Sequence, residues 1–321
     1  MPKEKIVFAT PYLKFGGKDH SSGNIKYFKT IDKYAKSKGL QLVLFKPSEF
    51  NLESGLCINA TTMQYGKLKL SEQIRPEVLY FKQLKNLDRF TESINQYQIK
   101  LLNPAKLKSI CVNKKDTNTC LSKSSELVKY LIPELEINRS SSKNDLVEFI
   151  KAVEHPFYIL KPVSGQGGIG IEKLSLRQLK KNLAEISGKK GYLLQPFIEG
   201  ELMFRCLTYS VNGVAKLSGS YARVPKYPSG GLFAGDRRNY KLQAPKELAE
   251  AATKINAQIT KSAGCLESFI AIDFLIDSSG KTWLLEVNSN PGFVRAYQNR
   301  KLAKAYAKAL IEPALSLVKR A

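Results

Sequence analysis

The stretch "FIAIDFLIDSSGKTWLLEVNSNPG", residues 269–292, holds two apolar runs around Ser278-Ser279-Gly280-Lys281 and ends on Pro-Gly. Apolar runs either side of a small, polar turn read as a β-hairpin. If that four-residue loop closes it, Asp277 faces Thr282, and counting back along the ladder sets Asp273 opposite Glu286 on one face. Asn288, two residues further on, shares that face. Like charges directly opposite each other destabilise a sheet, so the pair calls for positive charge. A divalent cation on two carboxylates and an amide would supply it, with phosphate oxygens and water completing the shell. A buried lysine or arginine could neutralise the pair instead, and a one-residue slip in register would undo it. The polar end at Glu286, Asn288 and Asn290 has two readings. Either the strand simply reaches the surface with the asparagines opening a turn, or it lines a site.

Composition narrows the chemistry. The chain has 321 residues, 43% of them hydrophobic, enough for two or three units with their own cores. It lacks an uninterrupted apolar run of about 18 residues, so no membrane span is expected. "MPKEKIVFATPYLKF" enters a strand without the layout of a signal peptide. Cys57, Cys111, Cys120, Cys206 and Cys265 are scattered without a C-x-x-C pair, which argues against a zinc or disulfide framework and fits a cytoplasmic protein. His20 and His155 are the only histidines, so a histidine metal site or a Ser-His-Asp triad has little to build with. Chemistry then rests on carboxylates and cations. There are 51 Lys+Arg against 28 Asp+Glu, a formal charge of +23, which favours nucleotides, acidic peptides or nucleic acid as partners. The lysines are spread along the chain rather than clustered, which weighs against nucleic acid without excluding it.

Strands at 4–10, 40–45, 77–82 and 97–104 and a helix over 24–39 ending at Gly39 predict a small open α/β domain over residues 1–105; 46–75 is too mixed to place. Residues 106–195 read as a compact α+β unit. In it a Lys-rich turn "VNKKDTNT" leads into a helix, and strand "FYILKP", a glycine loop, strand "IGIEKL", helix "LRQLKKNLAEI" and strand "GYLLQPF" follow. Residues 196–321 hold longer strands, a helix over 246–263, the hairpin and a C-terminal helix from about 299.

The glycine loop "GQGGIG", residues 165–170, formally fits G-x-G-x-x-G. A Rossmann loop would open a helix, whereas this one runs on as a strand, and no G-K-[ST] follows. A strand–loop–strand can instead act as a flap whose N–H groups close over phosphates. An ordinary glycine-rich hairpin is the plainer reading.

Taken together these pieces resemble the ATP-grasp superfamily, and within it the ribosomal-protein glutamate ligases and related amino-acid ligases. The resemblance covers roughly 105–300. It rests on "YILKP", the flap "SGQGGIG", the hinge "LLQPFIEGE", "FRC", "YARV", "AIDF" and "LEVNSNPG", in that order. It implies two α+β subdomains gripping ATP, here behind an α/β domain. By the resemblance, Lys161 holds the α- and β-phosphates, with Lys114 or Lys115 as a second nucleotide lysine. The flap residues Gly165, Gln166, Gly167 and Gly168 cover the phosphates. The backbone of Gln195, Pro196, Phe197 and Ile198 meets adenine, and Glu199 or Glu201 takes the ribose. Asp273, Glu286 and Asn288 hold one or two Mg²⁺, for which Mn²⁺ could substitute. Arg205 and Arg223 face the γ-phosphate and the carboxylate to be activated, joined by Arg237 or Arg238, with Asn239 a weaker choice.

The implied activity is an ATP-dependent carboxylate–amine ligase working through an acyl phosphate. Its substrates would be an amino acid, an amine or an acidic peptide. Two other readings stand beside it, a catalytically idle ATP-binding scaffold and a basic protein associated with nucleic acid or the ribosome. "PYLKFGGKDHSSGN", residues 11–24, reads as an ordinary polar loop or as a wall of the substrate site. Oligomeric state is not legible.

Overall fold

The computed structural model describes residues 6–11, 22–64, 67–70, 73–80, 87–164, 169–225, 236–239, 242–291 and 299–319. The chain begins with β1 (Ile6–Pro11), α1 (Ser22–Ser37) and β2 (Leu40–Phe45). Helix α1 buries Phe28, Ile31 and Ala35, one helical face, and the chain leaves it through Gly39 at φ +79°. The segment that sequence could not place holds a 3-10 turn and short strands: β3 (Phe50–Asn51), β4 (Leu56–Ile58), β5 (Thr61–Gln64), β6 (Lys67–Leu70) and β7 (Gln73–Ile74). After it come β8 (Val78–Tyr80), α2 (Leu87–Asn95) and β9 (Lys100–Leu102). The sheet order is β6-β5-β2-β1-β8-β9, parallel from β2 through β9 with an antiparallel edge at β5 and β6. The carboxyl ends of its parallel strands point Tyr80 and Asn103 towards the rest of the molecule.

Next come α3 (Ala105–Val112), α4 (Lys114–Leu121) and α5 (Ser125–Val128). The expected Lys-rich turn is instead the start of α4, because Asn113 caps it, its Oδ1 accepting from Asp116 N–H at 3.2 Å. A four-stranded antiparallel sheet follows from β10 (Leu135–Ile137), α6 (Lys143–Ala152), β11 (Phe157–Pro162), β12 (Glu172–Ser175), α7 (Leu176–Lys181), α8 (Leu183–Gly188) and β13 (Tyr192–Pro196). Its order is β10-β13-β11-β12. The single helix expected over 176–186 is broken at Asn182 into α7 and α8. Tyr158, Leu160 and Leu194 pack with Leu146, Ile150, Leu179 and Ile186 of the helices. Alternation along β11 therefore sends Lys161 to the opposite face.

The third sheet, β16-β15-β14-β17-β18, is antiparallel throughout. It contains β14 (Gly200–Val211), β15 (Val214–Pro225), β16 (Asp236–Asn239), β17 (Ser268–Asp277) and β18 (Thr282–Asn288), with α9 (Lys246–Ala263) inserted before β17. Phe204, Cys206, Ile270, Ile272 and Phe274 face α9 and α3 in one core. The alternate positions Leu207, Tyr209, Phe269 and Ala271 meet α10 (Arg300–Lys319), and that core runs on into Phe28, Ile31, Leu42 and Tyr80 of the first sheet. The first and third sheets thus share apolar packing, while the small sheet keeps a core of its own. Among the described residues no helix is long and apolar enough to cross a membrane.

Gly200 starts β14 where it lies tight against β17. A Cβ there would sit 2.5 Å from Ile276 O and 2.6 Å from Leu275 Cδ1. Gly200→Ala should therefore destabilise the protein by about 1–3 kcal/mol, since backbone must move to admit the methyl. A thermal melt would show a lowered midpoint; an unchanged one would mean that the two strands separate freely.

Candidate active site

The hairpin brings its carboxylates together, but by a different count. Ile276 faces Thr282 and Phe274 faces Leu284, one residue off the expected register, because the turn takes in Asp277 through Lys281. A bulge at the Asp273/Phe274 step then restores the pairing of Asp273 with Glu286. Asn288 is paired with Ala271, the next position along the face. Among the described residues no group of three or more His, Cys, Asp or Glu is placed to hold a metal. The protein offers two carboxylates and an amide, which suits a hard cation that takes its remaining oxygens from phosphate and water.

Arg205 lies directly across β14 from Asp273 and grips it at two points, with Nε donating to Oδ1 at 2.7 Å and Nη2 to Oδ2. Arg223 Nη1 reaches the same Oδ2 at 3.3 Å. Burial alone would depress the Arg205 guanidinium, but the charge and hydrogen bonds of Asp273 outweigh it and hold the group above its ordinary value. The arginine alternative raised for this carboxylate pair is therefore realised in the structure.

Glu286 is pushed above the usual carboxylate range, first by burial and then by Asp273, against the pull of Arg205, Lys114 and Lys161. Those lysines come from different parts of the fold. Lys161 lies on the open face of β11, 9% exposed. Lys114 opens α4, and the two elements are tied by Lys114 N–H donating to Val163 O at 3.0 Å and by the bridge between Asn113 and Ser164. Burial brings Lys161 down to about 8, with the charge of Lys114 adding to it and those of Glu134 and Glu286 opposing. Burial also lowers Lys114, opposed by Glu286. Lys115, one residue on, is exposed and forms an ion pair with Glu136. Of the doubled lysines, Lys114 is the one turned to the carboxylates.

The hinge is partly occupied by its own sheet. Phe197 N–H donates to Phe157 O at 2.9 Å, and Pro196 has no N–H to give, so adenine would have to rely on neighbouring groups. Gln195 is buried, and its Nε2 donates to Glu134 Oε2 at 2.7 Å on the face that carries Lys161. The Phe197 ring lies under Lys173 Nζ at 3.6 Å. Ile198 is half-buried and Glu199 exposed; Glu201 falls at a bulge in the β14–β17 ladder. Arg237 and Arg238 lie on β16, where Arg238 pairs in register with Arg223. Gly165, Gln166, Gly167 and Gly168 lie outside the described residues, as do positions 12–21 of the candidate loop.

Past Glu286, the polar end of β18 is held by hydrogen bonds. Asn288 Oδ1 accepts from Asn290 N–H at 2.8 Å, an Asx turn, so the turn reading holds in part. Tyr80 Oη donates towards Ser289 O and Asn290 Oδ1 at 3.1 and 3.0 Å. Asn103 Nδ2 donates to Ser289 O at 2.8 Å and to Phe269 O, while Asn103 Oδ1 accepts from Phe269 N–H. Tyr306 Oη donates to Pro291 O at 3.2 Å. Tyr80, Asn103, Glu134 and Tyr306 were not anticipated from sequence.

Comparison with known proteins bears on this arrangement. Solved structures that match along nearly the whole chain include the D-Ala:D-Ser ligase VanG from Enterococcus faecalis, at a TM-score of 0.63 and 12% identity, covering 98% of this chain and 99% of that one. The ATP-grasp ligase PsnB, complexed with minimal precursor, Mg and ADP, matches at 0.60 and 14%, covering 96% and 97%. The chain has the ATP-grasp fold. D-cycloserine synthetase DcsG has the same arrangement, at 0.64 and 15% over 96% and 99%. Residues 232–317 match the YheC/D-like ATP-grasp family. A D-alanine–D-alanine ligase of Magnetococcus marinus is 27% identical over 171 residues, 50% of this chain and 53% of the relative. The chain thus spans about half the length of the curated relative it matches. The expected ATP-grasp resemblance is borne out by fold and sequence alike, and the proteins named here are ligases and a synthetase.

A buried cation held for its charge should work against folding. Lys161 has a folded pKa below its ordinary value, so the unfolded chain binds the extra proton between about pH 8 and about pH 10.5, and stability rises across that window. Lys161→Met should be more stable than wild type at pH 7, by up to about 3 kcal/mol. The gain should shrink towards pH 10 as the wild-type lysine neutralises. Denaturant melts at both pH values would check this; a gain independent of pH would contradict it.

Proposed function

We propose that this chain is an ATP-dependent ligase that joins a carboxylate to an amine through an acyl phosphate, releasing ADP and phosphate. The observation that carries the reading is the convergence of Lys114, Lys161, Arg205 and Arg223 on the Asp273–Glu286 pair within an ATP-grasp fold. Four cations around two carboxylates leave positive charge for a polyphosphate.

In this reading Lys161 and Lys114 hold the phosphate chain, joined by backbone groups of residues 165–168. Asp273 and Glu286, with the remaining lone pair of Asn288 Oδ1, would hold Mg²⁺ or Mn²⁺, which supplies charge neutralisation to the phosphoryl oxygens. The substrate carboxylate attacks the γ-phosphorus in line and ADP leaves. Arg205 and Arg223 take up the charge that spreads over the transferring group. An amine then attacks the acyl carbon, loses a proton, and phosphate departs. No side-chain nucleophile is needed, which suits a chain whose cysteines are mostly buried. Exclusion of water during the acyl-phosphate stage falls to the small sheet and its glycine loop. The formal charge of +23 supports an acidic amino acid or acidic peptide among the substrates.

The test is ADP and phosphate release from Mg·ATP across a panel of amino acids, amines and acidic peptides, with product masses recorded. The expected product is lighter by one water than its two parts; ADP release without condensation for every pair would argue for a plain ATPase. Lys161→Ala should weaken ADP binding more than tenfold, and an unaltered affinity would remove Lys161 from the phosphate site. Asp273→Asn should abolish turnover while leaving circular dichroism unchanged.

A further inference from the structure

Asp273 is committed to cations of the protein itself. Both of its oxygens accept from Arg205, at 2.7 Å on Oδ1, and Oδ2 also accepts from Arg223 at 3.3 Å. The three groups are withdrawn from solvent, with Arg205, Arg223 and Asp273 side chains 14%, 20% and 6% exposed. A planar guanidinium held at two points on a buried carboxylate is a strong, oriented contact. A cation approaching Asp273 must displace at least one of these bonds. The displaced guanidinium then needs another anion, since leaving it buried and unpaired is costly.

We propose that Arg205, seconded by Arg223, is an internal counter-ion that closes Asp273 to divalent cations until a phosphate is present to receive the arginine. The proposal rests on the ligase reading above and adds an order to it. Metal alone binds poorly, nucleotide and metal raise each other's affinity, and the transfer of Arg205 from carboxylate to phosphate couples them. Linkage makes the effect reciprocal, because whatever the arginine's release costs the metal is recovered when phosphate takes the arginine. Lys114 and Lys161 act on Glu286 through charge, as Arg205 does too, whereas both arginines are hydrogen-bonded to Asp273. The structure therefore sets an order among the four cations. Removing Arg205 should open the metal site most, removing Arg223 less, and removing Lys114 least. A general loss of positive charge would open it equally for all three.

The experiment measures Mn²⁺ binding to nucleotide-free protein from the loss of the free aquo-ion signal in electron paramagnetic resonance. Arg205→Gln should bind Mn²⁺ at least tenfold more tightly than wild type, Arg223→Gln by a smaller factor, and Lys114→Met only marginally. Adding Asp273→Asn to Arg205→Gln should erase the gain, placing the ion at Asp273. Circular dichroism verifies folding. Should Arg205→Gln fail to fold, Arg205→Lys keeps the charge but cannot grip both oxygens, and a gain of several-fold is expected from it. No gain in either variant, or an equal gain across Arg205→Gln, Arg223→Gln and Lys114→Met, would overturn the proposal. ADP binding by wild type with Mg²⁺ is measured alongside. Its absence would bring down the ligase reading and this proposal together, whereas ADP binding with no gain in Arg205→Gln overturns the counter-ion role alone.

Discussion

Two carboxylates face each other across neighbouring strands, and most of the architecture can be understood as bringing positive charge to them. Asp273 and Glu286 cannot both remain ionised side by side in a half-dry cleft without compensation. Arg205 and Arg223 reach Asp273 from the strands of the same sheet. Lys114 and Lys161 act on Glu286 from a helix and from a second sheet. The requirement thus joins three parts of the chain that are far apart in sequence. It also explains why lysines whose burial works against folding are kept where they are.

The sheet that carries the pair is packed from both sides, with α9 over one face and α10 with the first sheet over part of the other. Between them the strands alternate apolar residues to either core, and Arg205 and Asp273 continue the second face beyond the α10 core, still largely buried. Residues 289–291 then leave the sheet under the hold of Tyr80, Asn103 and Tyr306, one each from the first sheet, the connection after it and the last helix. The polar residues past Glu286 are therefore affordable: Asn288, Ser289 and Asn290 are hydrogen-bonded, and the bonds from Tyr80 and Asn103 tie the first sheet to the third.

Much of this was legible in sequence wherever alternation governed it. The opposition of Asp273 and Glu286, the placement of Lys161 on the face away from Leu160, the stop at Gly39 and the helix over 246–263 all follow from period and turn chemistry. The hairpin shows the limit of counting, since a longer turn and a bulge each displaced the ladder by one residue and cancelled. Lys114 and Lys115 were indistinguishable because adjacent helical positions differ by about 100° in direction, and only the docking of α4 decides which one faces inward. The start of α4 was read as a turn because an asparagine, two lysines and an aspartate in a row look like a loop until Asn113 is seen capping it. Tyr80 and Asn103 were invisible for another reason: their partners lie 209 and 166 residues away, and no local pattern encodes contacts of that range. The hinge was read through resemblance alone, while the grip of Arg205 on Asp273 was visible only as one of two open alternatives.

The tie between Lys114 N–H and Val163 O has a mechanical meaning. The small sheet has a core of its own and is joined to α4 by this backbone bond, by the adjoining bridge and by the ion pair of Lys115 with Glu136 of β10. A body attached along one side tilts about that side, so points near it travel little while remote ones sweep wide. Lys114 and Lys161 stand beside this line of attachment. Tilting the small sheet about it would then leave the spacing between the two lysines nearly constant.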